Sequence, residues 1–348
     1  MQGKRNLLIT SFLEQEYVDR IRAVDERLNV IYEPELIAPP RYIADHNGEA
    51  SFRRSAEQED RWRRLLADAE ILFDYDHTHP TALPELAPNV RWIQFTSSGI
   101  GVFVKKNRYA ERMPRTLLTT ASGVHAQPLA EFCLLVMLMF SRRLWHTLAM
   151  QQQRVWERFT GSDLRGKTLT IFGVGRVGRK VSEFAQAVGM HVIGIVRNAS
   201  GRLPADLHVD ELYSNSELNN VLPRTDFLVL IAPHTPETEN LIGRQQLEAM
   251  PQGSVLINIA RGQLVVEQDL IDSLRSGHLA GAGLDVFATE PLPADSPLWA
   301  MPNVLVSPHS ASTSDRENEL ITDLFCENIR RYLNGQPLLN VLDPERMY

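Results

Sequence analysis

Cysteine is scarce. Only Cys133 and Cys326 occur in 348 residues, far apart and without metal-ligand spacing. That excludes a disulfide framework and a thiolate metal centre. Both cysteines lie in apolar helical context, where a buried free thiol is expected, as in a reducing compartment. Long apolar runs are missing too. The most apolar segment, Phe132–Phe140, falls far short of the roughly 20 residues that span a bilayer. After Lys4-Arg5 the apolar run is only Leu7–Ile9, too short for a signal peptide. A cytoplasmic protein with no membrane partner is the expectation. Positive charge is not in excess: 36 basic against 43 acidic residues give −7. Nothing therefore points to a nucleic-acid or anionic-membrane surface. No low-complexity tract or short repeat is present, and no metal site is expected.

What is present is ordinary globular composition on a chain long enough for two cored domains. Up to about residue 120, apolar strand candidates (Leu7–Thr10, Asn29–Tyr32, Ile71–Phe73, Trp92–Phe95, Leu117–Thr119) alternate with helical periodicity at Glu14–Val24 and Arg61–Leu66. Such alternation predicts a parallel sheet covered on both faces. Pro34–Pro40 and the charged stretch Asp45–Asp60 read as surface connections. Gln127–Gln153 reads as one long helix with Pro128 in its first turn, where a missing N–H costs little. Its apolar content over Leu129–Leu138 suits either a subunit interface or packing within its own domain.

A second unit comes after it. Thr168–Phe172 reads as a strand that runs into Gly173, Gly175 and Gly178 of a G-x-G-x-x-G turn. The helix after it carries Val177, Val181, Phe184, Ala185 and Val188 on one face. The first glycine makes the tight turn, the second admits a pyrophosphate to the backbone, and the third lets helix and strand pack closely. Phosphates would then sit at the positive helix N-terminus. Dinucleotide binding is the expectation. After the second strand, His191–Val196, NAD-specific folds place a carboxylate on the ribose. Here stand Arg197 and Asn198, and a planar cation suits a 2′-phosphate. NADP(H) is favoured over NAD(H).

Further strands are expected at Asp226–Ile231, Ser254–Ile259, Gly283–Val286 and Val304–Ser307. Helices are expected at Glu217–Leu222, Arg244–Ala249, Glu267–Ser276 and Ser314–Asn334; Leu338–Tyr348 has no usable periodicity. Ligands of open α/β sheets bind beyond the carboxyl ends of strands. Those ends offer Arg261, Glu290 and His309. A bidentate cation suits a substrate carboxylate, and an imidazole suits a carbonyl that must gain a proton. A carboxylate beside the imidazole would orient it and favour its protonated form. Each residue alone has a bland reading, as strand-end charge, turn residue or cap; their joint occurrence after three strands of one unit does not.

The runs Asn258-Ile259-Ala260-Arg261-Gly262, Leu284 to Leu292 and Ser307-Pro308-His309, with Ala232-Pro233-His234-Thr235-Pro236-Glu237-Thr238, resemble those of the D-isomer-specific 2-hydroxyacid dehydrogenases. The resemblance is strong over about residues 166–310 and weaker before. It implies that Arg261 holds the substrate carboxylate and carbonyl, that His309 is the general acid in reduction, and that Glu290 keeps His309 protonated. Arg176 and Val177 would lie on the pyrophosphate and Asp285 on the nicotinamide carboxamide. Ala232, Pro233, His234, Ile259 and Ala260 would line the cofactor. In the N-terminal part, Thr96–Ile100 matches the family's substrate loop, with Ser98 and Gly99 presenting backbone N–H groups to the carboxylate. Tyr75 and Asp76, at another strand end, are candidates for choosing the substrate side chain.

The resemblance further implies two doubly wound parallel-sheet domains, a Rossmann-type cofactor domain (121–312) inserted in a flavodoxin-like substrate domain (1–120 plus 313–348). The active site would lie in the cleft between them, and homodimers would form through the cofactor domains. The implied activity is reduction of a small 2-oxo acid to its D-2-hydroxy acid. Phosphorylated substrates are disfavoured because Phe73–Pro80 offers no cations beyond His77 and His79. Three departures stand out: the missing ribose carboxylate, the unusual interdomain string Ser122–Pro128, and Ser310 after His309. Two rival readings share the scaffold. One is a dinucleotide-sensing corepressor, against which the complete Arg261/Glu290/His309 set argues. The other is a formate dehydrogenase, which would pair its histidine with Gln rather than Glu.

Overall fold

The computed structural model describes residues 4–199, 207–343 and 345. By its internal packing the chain divides into two units, Met1–His125 with Thr313–Tyr348, and Ala126–Ser312. Each holds one all-parallel sheet with helices between the strands, the α/β class expected.

In the first unit the strands are β1 (Arg5–Ile9), β2 (Leu28–Ile31), β3 (Ile71–Phe73), β4 (Trp92–Gln94) and β5 (Leu117–Thr119). They lie in the order β2-β1-β3-β4-β5, the flavodoxin-like arrangement. Leu7–Ile9 of β1, all of β3, and Trp92 and Ile93 of β4 are apolar and fully buried, as a sheet covered on both faces requires. One face packs Leu8, Leu72 and Ile93 on Trp62, Leu65 and Leu66. The other packs Leu7, Ile9 and Trp92 on Ile321, Phe325 and Ile329 of the C-terminal helix Glu317–Leu333. Asp45–Asp60 is not connection throughout, because its last residues belong to a helix, Ala56–Asp68. Ser55 and Gln58 start that helix with a reciprocal capping box, a signal available in the sequence. The tail also has a place: Asn340 to Leu342 runs beside β5, with Leu342 N–H donating to Leu118 C=O. Residues 344 and 346–348 of that tail lie outside the described residues.

In the second unit the strands are β6 (Thr168–Phe172), β7 (His191–Val196), β8 (Glu211–Ser214), β9 (Phe227–Leu230), β10 (Val255–Asn258), β11 (Gly281–Leu284) and β12 (Val304–Val306). Their order is β12-β11-β10-β9-β6-β7-β8, a Rossmann sheet with one added edge strand. β8 escapes the sequence reading because it is a half-buried edge strand with only Leu212 and Tyr213 to mark it. β11 begins two residues earlier than expected, on a Gly-Ala-Gly run of low strand propensity. Those glycines have a packing cause. A Cβ on Gly281 would lie 2.2 Å from the Phe140 ring, and one on Gly283 would lie 2.6 Å from Val136. The helix over the sheet thus comes closer than side chains on β11 would permit.

That helix is not the single element expected over Gln127–Gln153. It is two, Ala126–Ser141 and Leu144–Gln153, bent by 61°. Arg143 takes a left-handed conformation (φ 54°), and the Ser141 carbonyl is drawn off to accept from Ser162 N–H. No Gly or Pro marks the break, so periodicity alone runs through it. No single described helix is long and apolar enough to cross a membrane, although this bent pair passes by length and composition together.

Candidate active site

The nucleotide turn is built as its glycines demand. Gly173 has φ 108°, and a Cβ there would press within 2.8 Å of Ala232 N. A Cβ on Gly178 would lie 2.3 Å from the Gly173 carbonyl, so only glycine lets the helix Arg176–Ala187 start this close to β6. Gly175 differs. Nothing lies within 4 Å of the place its Cβ would take, and it stands at the N-cap with no side chain capping the helix. Open space at a helix start whose N-cap residue brings no side chain fits a pyrophosphate. Arg197 and Asn198 are exposed just after β7. Glu237, on the loop after β9, sits below the usual carboxylate range, first through the Thr235 hydroxyl and also through the charge of Arg197. Ala232 is buried, and the Thr238 hydroxyl, which donates to Pro233 C=O at 2.8 Å, closes the turn that carries Pro233 and His234.

The ends of β10, β11 and β12 bring Arg261, Glu290 and His309 to the same edge of the sheet. Ile259 and Ala260 are buried, and Asn258 braces the turn after β10: its Nδ2 donates to Arg261 C=O (3.0 Å), and its Oδ1 accepts from Ala260 N–H (3.1 Å). Gly262 then abuts Phe287, where a Cβ would sit 1.9 Å from the Phe287 carbonyl carbon. This contact locks the Arg261 turn to the loop that carries Glu290. Burial pulls the Arg261 guanidinium below its usual range, and the nearby Glu290 charge opposes that pull. The cation therefore sits where a carboxylate ligand would find little competing water.

His309 Nδ1 lies 2.8 Å from Glu290 Oε2, while Glu290 Oε1 accepts from Phe287 N–H at 3.0 Å. The carboxylate is held at both oxygens and in turn holds the imidazole. His309 itself has φ 55°. Its turn is tied down by Asp285, whose Oδ1 accepts from Ser307 Oγ (2.6 Å), Ser310 N–H (2.8 Å) and Ala311 N–H (2.9 Å). Burial nevertheless raises the Asp285 carboxyl above its usual range, outweighing these bonds. Asp285 thus shapes the loop that aims His309. Asn258 and Ser307 are supporting residues that a reading for charged groups misses, although both belong to the runs that carry the family resemblance.

The first unit places Thr96–Ile100 one residue past the end of β4. Thr96 Oγ donates to buried Asp74 (3.1 Å), which also meets His77 Nε2 at 2.8 Å. Ser98 Oγ lies 3.2 Å from His125 Nδ1. The Tyr75 ring is packed between His77 and Phe103, with centroids at 4.0 and 4.4 Å. Asp76 is engaged by Thr78 and His79. Both cysteines are buried free thiols, and burial pushes Cys326 up to about 11. Among the described residues no cluster suited to a metal ion occurs.

Residues 134–311 match the family model described as D-isomer specific 2-hydroxyacid dehydrogenase, NAD binding domain. A hydroxypyruvate reductase of Blautia hydrogenotrophica is 28% identical over 281 residues, covering 78% of this chain and 85% of that protein. A D-isomer specific 2-hydroxyacid dehydrogenase family protein from Aeromonas salmonicida superposes with TM-score 0.80 at 30% identity, over 98% of this chain and 100% of that one. An NADPH-dependent glyoxylate/hydroxypyruvate reductase from Sinorhizobium meliloti, solved with NADP and sulfate, superposes with TM-score 0.76 at 25% identity, covering 99% and 100%. The chain also matches D-3-phosphoglycerate dehydrogenases but spans under half their length, 40% of that from Mycobacterium leprae.

Proposed function

The chain belongs to the D-isomer specific 2-hydroxyacid dehydrogenase family, and from that premise we propose that it reduces small 2-oxo acids to D-2-hydroxy acids with NADPH. It is an NAD(P)-dependent oxidoreductase acting on CH–OH groups. The observation that carries the finer reading is the His309–Glu290 pair. With Nδ1 committed to Glu290, Nε2 is the nitrogen left to deliver a proton to the carbonyl oxygen of the substrate. Arg261 grips the carboxylate bidentately, and the Ser98-Gly99 backbone adds N–H donors. A bound reduced nicotinamide supplies the hydride. The open space at Gly175, with the helix start at Arg176 and Val177, takes the pyrophosphate. Ala232, Pro233, His234, Ile259 and Ala260 flank the rest, Asp285 lies on the carboxamide side, and Arg197 with Asn198 takes the 2′-phosphate.

Substrates without a phosphate are favoured, glyoxylate and hydroxypyruvate first. His77 and His79 are already committed to Asp74 and Asp76, so the segment after β3 has no spare cation for a phosphoryl group. The protein is proposed to be a cytoplasmic homodimer, supported by two buried free thiols and by an apolar arm on the second unit. On that arm Leu135, Leu138, Leu148, Val155 and Phe159 are exposed, and Trp156 is 99% exposed.

Initial rates of reduced-cofactor loss with glyoxylate and hydroxypyruvate, NADPH beside NADH, test the reading. NADPH is expected to be used with the higher kcat/KM. Arg197→Glu is expected to lower that value about tenfold or more for NADPH while sparing NADH. Turnover that prefers NADH, with Arg197→Glu silent, would remove Arg197 from the cofactor site.

A further inference from the structure

The loop after β4 is fastened by side chains that the dehydrogenase chemistry does not use. Thr96 is tied to Asp74, which in turn meets His77, and Ser97 C=O accepts from Ala121 N–H at 3.2 Å. Ser98 ends a chain of three: its Oγ lies 3.2 Å from His125 Nδ1, and His125 Nε2 lies 3.0 Å from Glu317 Oε1. Glu317 is 7% exposed, and its second oxygen is buried without a partner. His125 is the last residue of the first unit before the chain leaves it, and Glu317 opens the helix reached just after the chain returns.

Hydrogen-bond arithmetic limits what this chain of groups can do. Nε2 faces a carboxylate, so it carries a proton. A neutral His125 then has a bare Nδ1, which accepts the Ser98 O–H and uses up the one proton that hydroxyl has to give. A doubly protonated His125 reverses that bond. Its Nδ1–H donates to Ser98 Oγ, and the Ser98 O–H is released to point elsewhere. An anion approaching the loop meets lone pairs in the first state and a donor in the second.

We propose that Ser98, His125 and Glu317 form a relay in which uptake of one solvent proton by His125 turns the Ser98 hydroxyl into a donor for the carboxylate of the substrate. His125 is a positioning residue in this scheme and does not touch substrate. The charged and titratable groups around it are Glu317 from the C-terminal helix and His46 from the loop after β2. The His46 ring in turn feels the charges of Asp74, Glu317, His77 and His125. The inference rests on the reading of Thr96–Ile100 as the carboxylate loop.

The direct test is nitrogen NMR of the imidazoles in the full chain with NADPH, before and after addition of oxamate, a 2-oxo acid analogue that is not reduced; His125→Asn identifies the signal. Oxamate is expected to convert His125 from the neutral Nε2–H form to the doubly protonated ring. A ring that stays neutral, or one doubly protonated before oxamate arrives, overturns the relay. Kinetics give a second readout. Asn places an amide N–H2 near the Nδ1 position, a permanent donor to Ser98, and should keep KM for the oxo acid within about 2-fold of wild type. His125→Gln and Ser98→Ala should raise KM about 10-fold with kcat within about 3-fold, the scale of one hydrogen bond to a charged group. Equal behaviour of Asn and Gln, in variants that melt like wild type, also overturns it. Absence of wild-type turnover on every oxo acid would instead sink the reductase reading, and the NMR response to oxamate would still decide the relay.

Discussion

His309 is one of the few non-glycine residues in the left-handed region, at φ 55°. Such a conformation costs of order 1–3 kcal/mol and persists only where surrounding bonds over-determine it. Here those bonds are His309 N–H donating to Asp285 C=O and the three donors on Asp285 Oδ1. The strain is thus spent on aiming one ring. Replacing His309 by Gln is expected to lower kcat by about 10²–10⁴ with little change in KM for the oxo acid, measured at saturating cofactor. Arg261→Gln should do the converse and raise that KM about 30-fold, the loss of a charge-assisted bond worth roughly 2 kcal/mol. A residue outside the chemistry gives a pH prediction. Burial lowers the affinity of the His46 ring for protons, so the unfolded chain binds more protons than the folded one below about pH 6.5. Stability from this group is present above that pH and falls as pH drops, by at most about 1.4 kcal/mol per pH unit. Calorimetric melting between pH 7.5 and 5.5 should show a smaller decline for His46→Asn than for wild type. That Arg261, Glu290 and His309 come to one edge of the sheet was legible in the sequence, because they follow three strands of one unit. Ser307, Asn258 and the Ser98–His125–Glu317 chain were not. Asn258 acts within three positions but carries no charge to draw notice, and the others act through contacts across 22 to 192 positions, which no local pattern encodes.

At the scale of elements, β6, β7 and the helix Glu267–Ser276 stand where periodicity and caps predict them. Acidic Glu267 and Asp269 open that helix, and Gly277 closes it in a left-handed cap with φ 74°. The misread elements are those whose form is set by neighbours. Gly281 and Gly283 look like poor strand formers until the helix above them is seen, and the bend at Arg143 comes from the Ser141 carbonyl turning to Ser162. The junction of the Arg261 turn with the Phe287 loop makes the sharpest prediction here. Gly262→Ala forces a methyl into backbone that has no soft side chain to yield. It should lower kcat/KM by about 100-fold and depress Tm together, whereas Arg261→Gln leaves Tm near wild type; differential scanning fluorimetry beside kinetics separates the two.

At the scale of the molecule, the apolar arm around Trp156 makes the assembly testable. Wild type should elute as a dimer in size-exclusion chromatography with light scattering, and Trp156→Arg should shift it toward monomer. The order in which the two units occupy the chain has a further consequence. All five strands of the first sheet precede residue 126, yet one face of that sheet is covered in part by Ile321, Phe325 and Ile329, which come after the entire second unit. During synthesis, therefore, Leu7, Ile9 and Trp92 wait with that covering helix still to be translated, while the 126–312 segment already contains every strand of its own sheet. The inserted unit can be finished first and the enclosing one last. A nascent chain halted before residue 313 would hold a protease-resistant second unit beside a first unit open to cleavage and to chaperones, until the last helix leaves the ribosome.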